Sequence, residues 1–249
     1  MVRRGADPDF RSRVLTQFDN SADVWPKDNA WSNHTRSQIA QLLKRYVADI
    51  REVSQITRIL NIGSHGNEYE IGVAEHVHVD LSANALAGLN LAAAGDAESL
   101  PFANRSFDAA VCVGSVINYC SPPRVFSEIG RVLKPAGHLL LEYETSESLE
   151  FIMTDDFRKD VTLVDTFYNC ANDKIYVYSS RYIESALLAA GFSMRAQERF
   201  HTISPLMFRL TRNERLSAFF ARLDRTVGNL RSLQRYSANI FVLAEVRNE

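Results

Sequence analysis

Three observations predict an α/β protein built on a doubly wound, mostly parallel sheet with helices on both faces. Short runs rich in apolar residues recur at 58–62, 76–81, 107–113 and 138–143, each followed by turn residues. Stretches of helical spacing flank them, and a last β-prone run at 239–246 suits a reversed final strand. Runs without a polar face are what strands show when helices cover both sides of the sheet.

With 249 residues, 46% hydrophobic and 23% charged, the chain suits one domain with insertions. Its formal charge of -2 supplies no global field for nucleic acid or an anionic membrane. Cys112, Cys120 and Cys170 form no CxxC pair and no metal-type cluster, so neither a metal nor a thiol nucleophile is expected. The first ten residues are charged where a secretory signal is apolar, and a cytoplasmic protein is expected.

In chain order, residues 18–31 read as an irregular lead-in. Ile39, Leu42, Leu43, Tyr46, Val47 and Ile50 then recur at helical spacing over 32–53, with Ser32 or Asn33 as the cap. Helical spacing returns at 123–133 and stops at Pro135 and Gly137. Two β-prone runs, 161–169 and 174–179, flank Cys170, Ala171, Asn172 and Asp173 and predict an inserted hairpin. A helix at 181–190 ends at Gly191 and leads into a strand near 193–201. Between 205 and 236, Arg209, Arg212, Arg215, Arg222, Arg225, Arg231 and Arg235 accompany Leu216, Phe219, Phe220, Leu223, Val227 and Leu230 at helical spacing. That pattern predicts a solvated face over an apolar stripe, or a lid whose arginines attract an anion.

Ligands of an open parallel sheet bind beyond the carboxyl ends of its strands. Gly63-Ser64-His65-Gly66 follows the first strand, where glycine permits a tight turn and close backbone approach. Asp80 closes the second strand, where a carboxylate can accept from a diol or cap a turn. Next come Asp96-Ala97-Glu98-Ser99-Leu100-Pro101-Phe102, Ser106-Phe107-Asp108-Ala109 and Arg131-Val132-Leu133-Lys134-Pro135-Ala136-Gly137-His138-Leu139.

In this order and spacing, these strings resemble the class I S-adenosylmethionine-dependent methyltransferases, especially their small-molecule branch, from about Gln17 to Phe192. The resemblance implies a Rossmann-like sheet divided into a lid and helix (1–57), a cofactor-binding core (58–144), a hairpin insertion (145–180) and a helical lid insertion (202–237). It implies S-adenosyl-L-methionine as cofactor. Gly63, Ser64, His65 and Gly66 would lie along its methionine part, Asp80 on the ribose and Leu81 on adenine. Asp96 and the Ala97 N–H would meet the adenine edge, and Val113, Gly114 and Ser115 would floor the pocket. Trp25 or Trp31 would act as a lid or as an aromatic staple. The chain departs from the family at Asn61, where an acid is usual, and at His65, inside an otherwise glycine-rich loop. Residues 68–75 are short and contain Gly72, so the following helix is expected to shrink to a turn or two.

For an in-line methyl transfer to a small-molecule acceptor, anionic if the arginines serve it, the expected base is His201, with Tyr119 and His34 as further candidates. His76, His78 and His138 read as packing or surface residues, and Asn118 as a substrate-orienting group or a turn cap. A nicotinamide oxidoreductase is disfavoured because the glycine loop lacks GxGxxG spacing. A nucleic-acid amino methyltransferase is disfavoured because Ser121-Pro122-Pro123-Arg124 lacks the stacking aromatic. The competing non-enzyme reading is a binding or scaffold protein that has lost turnover. No nucleic-acid or membrane partner is expected, and the hairpin either covers a pocket or pairs with a second copy in a homodimer.

Overall fold

A computed structural model describes residues 8–19, 23–72, 75–168, 171–227 and 231–247. The first described element is a helix that the sequence reading passes over, α1 (Pro8–Asp19), whose Phe10 and Val14 are buried. The second helix, α2 (Ala30–Val53), starts ahead of its expected first residue. Its cap is Asn29 rather than Ser32 or Asn33, the Asn29 side chain accepting from Ser32 N at 2.9 Å. The irregular lead-in is correspondingly shorter than 18–31.

Strands β1 (Arg58–Ile62), β2 (Glu75–Asp80), β3 (Ala92–Ala94) and β4 (Phe107–Cys112) follow, then α3 (Pro122–Val132) and β5 (Leu133–Glu144). Because α3 ends at Val132, Pro135 and Gly137 lie within β5. The hairpin is β6 (Val161–Tyr168) and β7 (Ala171–Tyr178). Ala171, Asn172 and Asp173, expected in its turn, are already strand, paired with Tyr168, Phe167 and Thr166; Cys170 lies outside the described residues. Then come α4 (Ser180–Ala189), β8 (Phe192–Phe200), α5 (Ser204–Thr211), α6 (Glu214–Val227), α7 (Arg231–Gln234) and β9 (Asn239–Val246).

The main sheet runs β3-β2-β1-β4-β5-β9-β8. The first five of these pair in parallel, and β9 is antiparallel to both β5 and β8. On one face, Val125, Phe126 and Ile129 of α3 and Ile183 and Leu187 of α4 pack against Leu60, Val77, Val79 and Leu139. On the other, the α2 stripe covers Ile59, Val111, Leu140 and Phe241. Among the described residues the expected short helix after β1 is absent, and residues 63–72 form a loop that buries Tyr69 and Ile71. That absence explains β2, which alternates instead of running apolar: Val77 and Val79 enter the helix-covered face, and His76 and His78 take the other.

The arginine-rich segment also differs from its expected packing. Helix α6 turns Ser217, Ala218, Ala221 and Asp224 inward and leaves Leu216, Phe219 and Leu223 exposed. Small residues on the inner face let α6 lie close to its neighbours, and the buried Asp224 serves as an acceptor. It accepts from Thr202 N, Ile203 N and Ser204 N at 3.0, 2.8 and 3.2 Å and from Ser204 Oγ, which closes the amino end of α5. The side chains of Arg225, Val227 and Arg231, and Leu230 as a whole, lie outside the described residues. Among the described residues no helix is long and apolar enough to cross a membrane.

Asp224→Ala strands buried donors without acceptors. Urea unfolding should show a loss of about 3 kcal/mol, whereas Asp165→Ala, at an exposed hairpin position, should change stability little.

Candidate functional site

The carboxyl ends of β1, β2, β4 and β5 open on one cavity of about 280 Å³, closed from above by α1, the segment around Trp25 and the hairpin. Gly63 turns the chain out of β1 with φ +63°, its N–H donating to Val79 O at 2.8 Å. A Cβ there would fall 2.4 Å from a Val116 methyl carbon, so the position tolerates no side chain. The loop then returns over β2: His65 N–H donates to Asp80 Oδ2 at 2.8 Å, and Ser82 N–H to Oδ1 at 2.9 Å. Asp80 therefore holds its own turn and the glycine loop together while lining the cavity.

Gly63, Ser64, His65, Asp80, Leu81, Asp96, Ala97, Val113, Gly114 and Ser115 all line this cavity; Gly66 does not. The His65 imidazole turns toward α1, its Nε2 lying 3.0 Å from Phe18 O. Asp96 accepts from Glu98 N at 2.9 Å and is ion-paired with Arg11 of α1. Asn61 is buried, and its amide donates to Asn67 O at 2.8 Å, bracing the loop. Trp25 and Trp31 both face the cavity, and the Trp31 ring stacks on Phe208 of α5.

Sequence reasoning missed an acidic wall on the β5 side. Glu142 is fully buried; its Oε2 accepts from Gly114 N and Ser115 N, both at 2.9 Å, and its Oε1 from Asn239 Nδ2 at 2.7 Å. Burial raises its pKa against those donors. Glu144 accepts from Ser115 Oγ at 2.9 Å. Burial, reinforced by the charges of Glu142 and Glu150, pushes its pKa up to about 8. Burial likewise raises Glu150, against its bond from Ser148 Oγ and the charge of Arg209. The signal that could have found this wall was Leu-Glu-Tyr-Glu closing an otherwise apolar run. Asn118 donates to Glu144 O and Tyr176 O, so it ties the β4 exit to β5 and the hairpin instead of capping its own turn.

The expected base, His201, is displaced from the cavity wall. It is 2% exposed, has φ +59°, and lies behind Trp31 at 4.5 Å between ring centroids. Its Nε2 pairs with Thr35 Oγ1 at 3.0 Å and its Nδ1 with Ser204 Oγ at 3.4 Å, while burial beside His34 lowers its pKa to about 3. His34 packs against that ring at 5.6 Å. Tyr119 does line the cavity, and its hydroxyl donates to Asp173 Oδ2 at 2.8 Å. Nor, among the described residues, do the arginines of the helical segment line it. Arg209 lies over the Phe151 ring and Arg212 over the Phe167 ring, and the charged groups facing the cavity are carboxyls apart from Arg11. Thr166, Phe167 and Ile175 of the hairpin face inward, so the hairpin covers the pocket.

Residues 60–141 match the family described as methyltransferase domain. Demethylmenaquinone methyltransferase of Paenarthrobacter aurescens is 30% identical over 138 residues, 51% of this chain and 53% of that protein. The chain thus spans about half the length of that curated relative, and less of the others it matches. The Burkholderia thailandensis 1,6-didemethyltoxoflavin-N1-methyltransferase, solved with S-adenosylhomocysteine, superposes with TM-score 0.57 at 12% identity, over 100% of this chain and 94% of that one. The [4+2]-cyclase SpnF superposes with TM-score 0.56 at 18% identity, over 97% and 94%. The fold with its reversed β9 is therefore shared with proteins of different chemistry, and the methyltransferase-domain match runs from β1 into β5, along the strands that bear the cavity.

Proposed function

We propose that this chain transfers a methyl group from S-adenosylmethionine to an oxygen or nitrogen of a small, neutral or cationic acceptor. The observation that carries the reading is a single cavity with Asp80 and Asp96 on the β2–β3 side and Glu142, Glu144 and Glu150 on the β5 side. The donor set suits the cofactor. Asp80 retains acceptor capacity for a ribose diol, Asp96 and the Ala97 N–H suit an adenine edge, and Gly63 and Ser64 line the same cavity. When bound, the cofactor supplies an electrophilic methyl on a positively charged sulfur. The charge that Asn61 lacks is available from Glu142 on the same cavity.

Methyl transfer requires the protein mainly to align the acceptor and take its proton. Glu144 is suited to taking the proton, because it lines the cavity, Ser115 Oγ orients it, and its pKa of about 8 in the unfilled cavity makes its ionised form a stronger base than an ordinary carboxylate. It replaces His201, whose ring nitrogens are already engaged. Tyr119, held by Asp173, and the Phe167 ring shape the acceptor end. An anionic acceptor would meet like charge there, which favours a neutral or cationic one.

Calorimetric titration with S-adenosylhomocysteine should give binding that NAD does not reproduce, and a preference for NAD overturns the cofactor reading. Asp80→Ala should weaken that binding by about 1.5 to 3 kcal/mol; an affinity matching the parent's means the ribose lies elsewhere. With an acceptor in hand, kcat/KM for the cofactor, which reports the unfilled cavity, should rise with pH through about 8 as Glu144 loses its proton. Glu144→Gln should lower it by about 10²-fold or more and abolish the rise. Stability should run the other way. The folded Glu144 holds a proton that the unfolded chain, with a carboxyl near 4.5, releases, so stability should fall between pH 4.5 and 8, and less steeply in Glu144→Gln.

A further inference from the structure

We propose that the chain binds one divalent transition-metal ion, of the zinc type, through His76, His78 and the carboxylate of Glu68, on the face of β2 that the loop after β1 covers. The two histidines stand two residues apart on one face of the strand, with ring centroids 4.7 Å apart. Glu68 brings its Oε1 to 3.7 Å from His78 Nε2, and one ligand atom from each of the three residues lies within 4.8 Å of the other two. A tetrahedral zinc ion with bonds of ~2.1 Å sets its ligands ~3.4 Å apart. The exposed Glu68 carboxylate can swing over that last increment, and a solvent molecule would complete the coordination.

An independent observation points to a ligand here. His78 is 1% exposed, and both its ring nitrogens are buried without a hydrogen-bond partner, as is Nε2 of His76. Buried imidazoles in folded proteins rarely leave their nitrogens unmatched, and adjacent orphans facing one carboxylate are the preparation a metal ion uses. The site lies where the expected helix after β1 is missing. An ion there would fasten the loop bearing Gly63, Ser64 and His65 to the strand that ends in Asp80, doing the work of the absent helix packing.

The test uses the full chain without a histidine tag, stripped with chelator, and requires neither S-adenosylmethionine nor an acceptor, so its outcome is separate from the methyl-transfer reading. Equilibrium dialysis against micromolar Zn²⁺ should load one equivalent per chain, and Co²⁺ should give the visible absorption of a four- or five-coordinate ion with nitrogen ligands. Zn²⁺ should raise the thermal midpoint of the parent protein. Glu68→Gln, a change at an exposed side chain, should weaken binding by about tenfold or more, and His76→Gln should remove both the cobalt spectrum and the thermal shift. Substoichiometric loading of the parent, or loading that both variants retain, overturns the proposal.

Discussion

The site depends on one buried carboxyl. Glu142 gathers Gly114 N, Ser115 N and the Asn239 amide, so it joins the exit of β4, the end of β5 and the start of β9 at a single point. Those donors make its burial tolerable, since an unmatched acid at that depth would be costly. They also fix the turn at Gly114 and Ser115, both at positive φ, and thereby aim the Ser115 hydroxyl at Glu144. Removing Glu142 would free two backbone N–H groups at the cavity floor and leave Glu144 without its orienting partner.

A second network closes the cavity from outside. Helix α1 reaches the hairpin through Arg13 and Gln17 on Asp173, and the glycine loop after β1 through Phe18 O against His65. It reaches the β2 turn through Asp19 accepting from Ser82 Oγ, and the β3 side through Arg11 on Asp96. Three of these contacts fall on residues that the proposed function gives to the cofactor or to its immediate turn. On that reading Arg11 and an adenine amino group compete for one carboxylate, so α1 must yield locally when the pocket fills.

Much of this was legible in the sequence, because apolar runs and glycine turns report directly on a buried parallel sheet. What escaped has physical causes. Strand β3 is three alanines, too short and too weakly β-prone to stand out. Helix α1 carries Phe10, Val14 and Phe18 at helical spacing, a signal present but diluted by charge. His201 occupies the expected strand end, but its positive φ turns the ring behind Trp31, and no pattern of residue types encodes that turn. Glu142 and Glu144 hid for the opposite reason: charged residues in a strand read as exposed until the fold shows both faces covered. Leu216, Phe219 and Leu223 misled similarly, since apolar periodicity marks a face without saying which way it points.

The acidic wall also bears on when Glu144 can act. A carboxyl that burial and its neighbours keep near pKa 8 is mostly protonated at pH 7 and is a poor base in the unfilled cavity. A unit positive charge ~6 Å away, at an effective dielectric of ~20, favours the ionised form by ~3 kcal/mol, or ~2 pKa units. A cation brought into this cavity would therefore draw off the proton and leave the carboxylate ready. The same burial that stores the proton in the empty pocket makes its release depend on a ligand's charge, so the base would be ready only once a cationic ligand is in place.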